Sequence, residues 1–147
     1  MRLNKYCAVL TAAVATIVFT GCSAKGTKFT SFEQPSDGNS MVYVYRPSSA
    51  WGWAVNYTAN ATEDNKTTFI AVIQNGSYGN TKVSANKEVE IWAETESKTS
   101  ITIDTESNKT YCIRAGVGMG ILIGRPTLEQ VDMETCEKEI VETVKPE

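Results

Sequence analysis

The sequence predicts an all-β fold: a mainly antiparallel β-sandwich or open barrel in a single domain, with a short helix near the C-terminus left open. Three observations carry this. Short runs rich in Val, Ile, Thr, Tyr and Phe recur from Met41 onward, separated by Gly, Asn, Asp and Ser. Strand-like runs do not alternate with helical periods of the βαβ kind. The length of 147 residues, 41% of them hydrophobic, suits one compact core and not two.

Taken in order, the first 21 residues read as a leader. Arg2 and Lys5 form a positive head, Cys7–Phe19 is uncharged, and small residues follow, the pattern of a secretory signal peptide. A membrane-spanning helix needs about 20 apolar residues, more than this run supplies. Phe19-Thr20-Gly21-Cys22 resembles the bacterial lipoprotein box, with Phe19 in place of the usual Leu. That resemblance implies acylation of Cys22, which becomes the mature N-terminus and ties the protein to a membrane. Ser23 after the cysteine resembles the outer-membrane sorting case, facing the periplasm; the rival outcome is ordinary signal-peptide cleavage. Removal of the leader leaves 12 basic against 17 acidic side chains, a formal −5. Such a surface is repelled by anionic headgroups, so the lipid must do the holding.

Residues 22–40 are polar, with Gly26, Pro35 and Gly38, and read as a tether. Phe29 and Phe32 either dock on the domain or lie loose. The domain spans 41–147. Met41–Tyr45 bears apolar bulk on both faces and reads as a central strand ended by Arg46-Pro47. Thr68–Ile73 stops at the turn signal Asn75-Gly76. Glu88–Ala93 points Val89, Ile91 and Ala93 inward, and Ser100–Asp104 does the same with Ile101 and Ile103. Lys109–Ala115 sets Tyr111, Ile113 and Ala115 on one face and Cys112 and Arg114 on the other. Ile121–Ile123 and Pro126–Val131 complete the strands. Between residues 128 and 144, Met133, Cys136, Ile140 and Val144 are spaced as on a helix face. Glu137–Val141 also fits a charged edge strand; the preferred reading is a strand ending near Met133.

With Cys7 removed and Cys22 acylated, Cys112 and Cys136 remain in a chain bound for an oxidising compartment. A disulfide between them contributes about 3–4 kcal/mol on the chain-entropy account; the alternative is two buried thiols. The absence of His removes the commonest metal ligand and the usual general base near neutrality. No metal or cofactor is expected, and no catalytic residues are assigned. The net charge of −3 lacks the basic footprint of a nucleic-acid binder. Gly116-Val-Gly118-Met-Gly120 resembles a phosphate-cradling loop, but no helix signal or Lys-Ser/Thr pair follows it. A bend at a sheet corner is the better reading, and no nucleotide is expected.

Binding candidates are Trp51 and Trp53, either exposed to stack on a sugar or anchor a protein, or capping the core. Arg46, Arg114 and Arg125 flank strand ends, where they meet anionic groups or pair with acidic neighbours. Asn65 and Asn108 lie in sequons of the bacterial type, with Glu63 and Glu106 two residues upstream. Five Asn-x-Ser/Thr matches in an Asn- and Thr-rich chain make chance a sufficient explanation.

Val42-Tyr-Val-Tyr45-Arg46-Pro47, Asn75-Gly-Ser-Tyr78, Lys109-Thr-Tyr111, Gly116–Gly120 and Gly124-Arg125-Pro126 together resemble a family of bacterial lipoproteins of unknown function, the domain-of-unknown-function 2846 type. The likeness covers most of 41–131 and implies a single strand-rich periplasmic domain behind a lipoprotein signal. Between Trp51 and Thr68 the chain departs from it, with Asn60–Lys66 where a short glycine turn is expected. The resemblance supplies no catalytic residues. The expected function is a non-enzymatic, membrane-anchored envelope lipoprotein binding a protein or cell-wall glycan such as peptidoglycan. The alternatives are a subunit pairing through a sheet edge and a small hydrolase with a Lys or carboxylate base.

Overall fold

The computed structural model describes residues 23–147, so the leader, Cys7 and Cys22 lie outside the described residues. The elements in chain order are β1 Gly26–Lys28, β2 Ser40–Arg46, β3 Tyr57–Glu63, β4 Lys66–Ile73 and β5 Ser77–Val83. They continue with β6 Glu88–Glu94, β7 Lys98–Asp104, β8 Thr110–Gly118, β9 Arg125–Val131, α1 Met133–Ile140 and β10 Val144–Pro146. Two sheets form, ordered β1-β10-β5-β2-β8-β9 and β4-β3-β6-β7. They pack as a sandwich; most pairs are antiparallel, while β2–β8 and β10–β5 are parallel. Among the described residues no helix is long and apolar enough to cross a membrane.

The apolar residues on both faces of β2 have a direct cause. Every residue of β2 is buried, because the larger sheet is covered on both sides. Val42 and Val44 face the smaller sheet and pack with Ile73, Val89, Ile91, Ile103 and Ile113. Met41, Tyr43 and Tyr45 face the other way, into a second cluster with Phe29, Cys112, Cys136 and Ile140. The strict alternation of β6 places Val89, Ile91 and Ala93 in the inter-sheet core. Ile103 of β7 is buried there, and Ile101 packs against it half-buried.

Two expectations are corrected, the extent of the tether and the strand at Ile121–Ile123. The tether ends far short of residue 40. β1 pairs with β10, and Phe29 is buried beside Phe32, Tyr43 and Tyr78 in edge-on ring contacts. Without that cover, the tyrosines on the outer face of the larger sheet would meet water. Asn75-Gly76 makes the expected turn, with Gly76 at φ 75°, and carries the chain from one sheet to the other. Ile121–Ile123 is not a strand: β8 runs on to Gly118, β9 begins at Arg125, and the residues between form an exposed loop. The strand ends at Val131, near Met133 as expected, and the reading left open beyond it resolves as a helix. Asp132 caps α1 by accepting the Thr135 N–H at 2.8 Å, and Cys136 and Ile140 face the core.

The Cys112–Cys136 disulfide is formed, with Cα atoms 6.1 Å apart. It fixes α1 to β8 over the outer face of the larger sheet.

Candidate functional site

Strand directions sort the loops into two poles. β2 and β8 end, and β5 and β9 begin, at one pole, as the pairings Arg46↔Ser77 and Gly118↔Arg125 require. Residues 47–56, 74–76, 95–97 and 119–124 therefore gather there. The opposite pole holds the turns at 36–39, 64–65, 84–87 and 105–109. Asn65 and Asn108 both lie at this second pole, each in a turn at positive φ (62° and 61°).

The first pole carries the exposed apolar surface. Trp51 and Trp53 are 62% and 50% exposed, so neither ring caps the core. Met119, Ile121 and Leu122 are 82%, 85% and 89% exposed. This second group was illegible in the sequence, where three aliphatic residues in a row read as a strand. Its one local clue was the glycine on each side, Gly120 and Gly124.

The apolar loop is held from below. The Glu96 carboxylate accepts the backbone N–H groups of Ile121 at 2.6 Å and Leu122 at 2.9 Å, with Ile123 further off at 3.5 Å. Arg125 Nε donates to the same carboxylate at 3.1 Å. These donors, the Leu122 and Ile121 amides foremost, bring the Glu96 carboxyl down to about 2. A side chain at Gly120 would sit 1.6 Å from the Ile123 carbonyl oxygen and 2.4 Å from Glu96 Oε1, so the tight loop needs glycine there.

Of the two expected readings of the arginines, Arg114 and Arg125 follow the pairing with acidic neighbours, and Arg46 follows neither. Arg46 is 2% exposed. Its guanidinium donates to the carbonyls of Val55 at 2.6 Å and Gly52 at 2.7 Å, so it holds the tryptophan loop from inside. Burial lowers its pKa. Beside it, burial pushes Tyr57 up to about 12, its hydroxyl donating to the Gly116 carbonyl at 2.6 Å. Arg114 bridges Glu129 at 2.7 Å and Glu139 at 2.9 Å, and the Tyr45 hydroxyl donates to Glu139 at 2.6 Å. Arg125 belongs to the Glu96 clasp.

A cleft of about 410 Å³ opens between the tryptophan loop and the outer faces of β8 and β9. Trp51 and Pro47–Ser49 form one wall, Arg114, Glu129 and Thr127 the other, and Gly116 leaves the floor bare. The structure thus brings Trp51 together with Arg114 and Arg46, while Trp53 lies apart beside Ser23, Gln74 and Asn75. Among the described residues no three His, Cys, Asp or Glu side chains group as metal ligands do.

An uncharacterized protein of Haemophilus influenzae is 29% identical over 136 residues, spanning 90% of this chain and 76% of that protein. No family model matches the chain, and no solved structure matches it.

Proposed function

We propose that this chain is a non-enzymatic lipoprotein of the bacterial envelope, anchored by acylated Cys22 in the outer membrane and facing the periplasm. Its Trp51 cleft binds a cell-wall glycan. The carrying observation is the cleft itself. An exposed indole stands opposite a guanidinium–carboxylate pair and a threonine hydroxyl, over a floor without a side chain. Sugar rings present an apolar face and a rim of hydroxyls, and such a site offers a partner to each.

Two further observations support the reading. The Cys112–Cys136 bridge belongs to a protein that meets oxidising conditions, as an exported chain does. At the cleft, Arg114 is taken up by Glu129 and Glu139, a polar wall built for contact. Purified peptidoglycan should retain the protein, and Trp51→Ala should weaken retention by about tenfold, the loss of one stacking platform, without lowering the melting temperature. Equal retention of both proteins sinks the glycan reading.

Pairing through a sheet edge is the second reading. It is favoured by β4, a sheet-edge strand that exposes Phe69 and Val72. Sedimentation over a hundredfold concentration range tests it: a constant monomer mass excludes it.

A further inference from the structure

We infer that the loop Met119–Ile123 enters the surface of the lipid bilayer that holds the Cys22 acyl chains, so that the domain sits at a fixed orientation on its membrane. The inference rests on the anchor of the proposed function and adds a second point of contact to it.

The first argument is distance. Ala24 donates its backbone N–H to the Asn75 carbonyl at 2.9 Å, and Ser23 lies beside Trp53. The described chain therefore begins, at Ser23 and Ala24, on the pole where residues 47–56, 74–76 and 119–124 gather, and one residue spans only about 3.8 Å. With the chain already fixed at residue 24, an acyl chain on Cys22 brings the tip of this pole to the headgroups, while the Trp51 cleft opens sideways over the outer faces of β8 and β9.

The second argument is charge. Residues 47–56, 74–76 and 119–124 contain no charged side chain. The carboxylate under them, Glu96, is taken up by backbone amides and Arg125. The turns of the far pole carry Asp37, Asp64, Lys87, Glu106 and Lys109. A surface with a formal −5 is repelled by anionic lipid, and its uncharged pole is the part that approaches at least cost.

The third is the loop's own build. Met119, Ile121 and Leu122 are almost wholly in water in the isolated domain, and the Glu96 clasp satisfies the Ile121 and Leu122 amides internally. An apolar tip with its backbone donors already bonded loses little on leaving water. Patches of this kind mark membrane or protein contact sites, and tryptophans such as Trp53 concentrate at the headgroup level.

The test uses the acylated full-length protein in vesicles of phosphatidylethanolamine and phosphatidylglycerol. An environment-sensitive nitrobenzoxadiazole probe is attached at Leu122→Cys or, for comparison, at Asn65→Cys in the far pole. The probe at 122 should shift to the blue and be quenched by spin-labelled lipid, while the probe at 65 should do neither. In the acylated protein, Ile121→Asp, read by the fluorescence of a probe at Met119→Cys, should abolish the shift. An intact-mass measurement of the same sample reads the anchor separately. A lipid adduct with a water-exposed probe at 122 overturns this inference and leaves the anchor standing; absence of the adduct overturns the anchor and this inference with it.

Discussion

Arg46 stands where the hydrogen bonding of β2 runs out, and a charged side chain is buried there because two carbonyls require it. The Gly52 and Val55 oxygens point into the pole under the tryptophan loop, and the planar guanidinium reaches both. Arg46→Ala strands the Val55 carbonyl, leaves the Gly52 carbonyl with the Val55 N–H alone, and opens a void. The expected loss is about 2–4 kcal/mol, read as a lower urea midpoint, with Trp51 and Trp53 emission moving as the loop loosens. Arg46→Lys recovers only part, since one ammonium cannot span the two carbonyls. An unchanged midpoint for the alanine variant would mean that water replaces the side chain.

Glu96 makes the converse case, a carboxylate holding backbone donors. The folded carboxyl titrates at about 2, against an ordinary value of 4.5. As pH falls the unfolded chain takes up the proton first. The clasp's contribution to stability is therefore whole above about 4.5, declines below that, and is gone once pH passes below about 2. A carbon-detected NMR titration of the Glu96 carboxyl should give a midpoint near 2, with the Ile121 and Leu122 amide shifts following it. A midpoint at the ordinary value would show that the loop is unclasped in solution.

At the scale of elements, the disulfide and α1 act together. Cys136 and Ile140 are the buried face of a helix of only eight residues, too short to persist alone. Replacing both Cys112 and Cys136 by Ser should cost about 3–4 kcal/mol of stability and speed amide exchange in α1 above that in β6. A cost below about 1 kcal/mol would show that Ile140 and the Tyr45–Glu139–Arg114 contacts suffice to dock the helix.

How legible each element was follows from where its side chains are satisfied. β2, β6 and β8 were plain because each face meets a definite layer, and alternation records that directly. The helix showed only in the spacing of Met133, Cys136 and Ile140, since half its residues are charged. The segment 26–32 was hidden because two phenylalanines among polar residues do not announce a partner. That partner, the tyrosine face of β2 and β5, lies far along the chain. Ile121–Ile123 was misread because aliphatic residues normally seek burial, and here they stay exposed while a distant Glu96 satisfies their backbone. The tryptophan half of the candidate site was visible in composition alone. Its opposite wall, Arg114 with Glu129 and Thr127, depends on the β8–β9 register, which no local pattern reveals.

At the scale of the whole molecule, the first and last described strands meet at the edge of the larger sheet. β1 pairs with β10 from Gly26↔Pro146 to Lys28↔Val144. Phe29 donates to the Thr143 carbonyl at 3.0 Å and Val144 to the Gly76 carbonyl at 3.0 Å. The last residues of the chain thus hold down the first described ones, and with them the point from which a lipid on Cys22 would emerge. Removing residues 144–147 should cost roughly 2 kcal/mol, the worth of two or three backbone hydrogen bonds. The larger effect is on the proposed lipid anchor. With β1 unpaired, Lys25 and Lys28 lie on a loose strand, and the fixed standoff becomes a leash. Trypsin should then release the truncated domain from vesicles at least about tenfold faster than the full chain, because cleavage follows the population of the opened strand. Cleavage after Lys25 or Lys28, identified by the new N-terminus, separates this from general unfolding. Equal release rates for the two proteins would show that β1 opens independently of β10, and that the β1–β10 pair does not set the standoff of the proposed anchor.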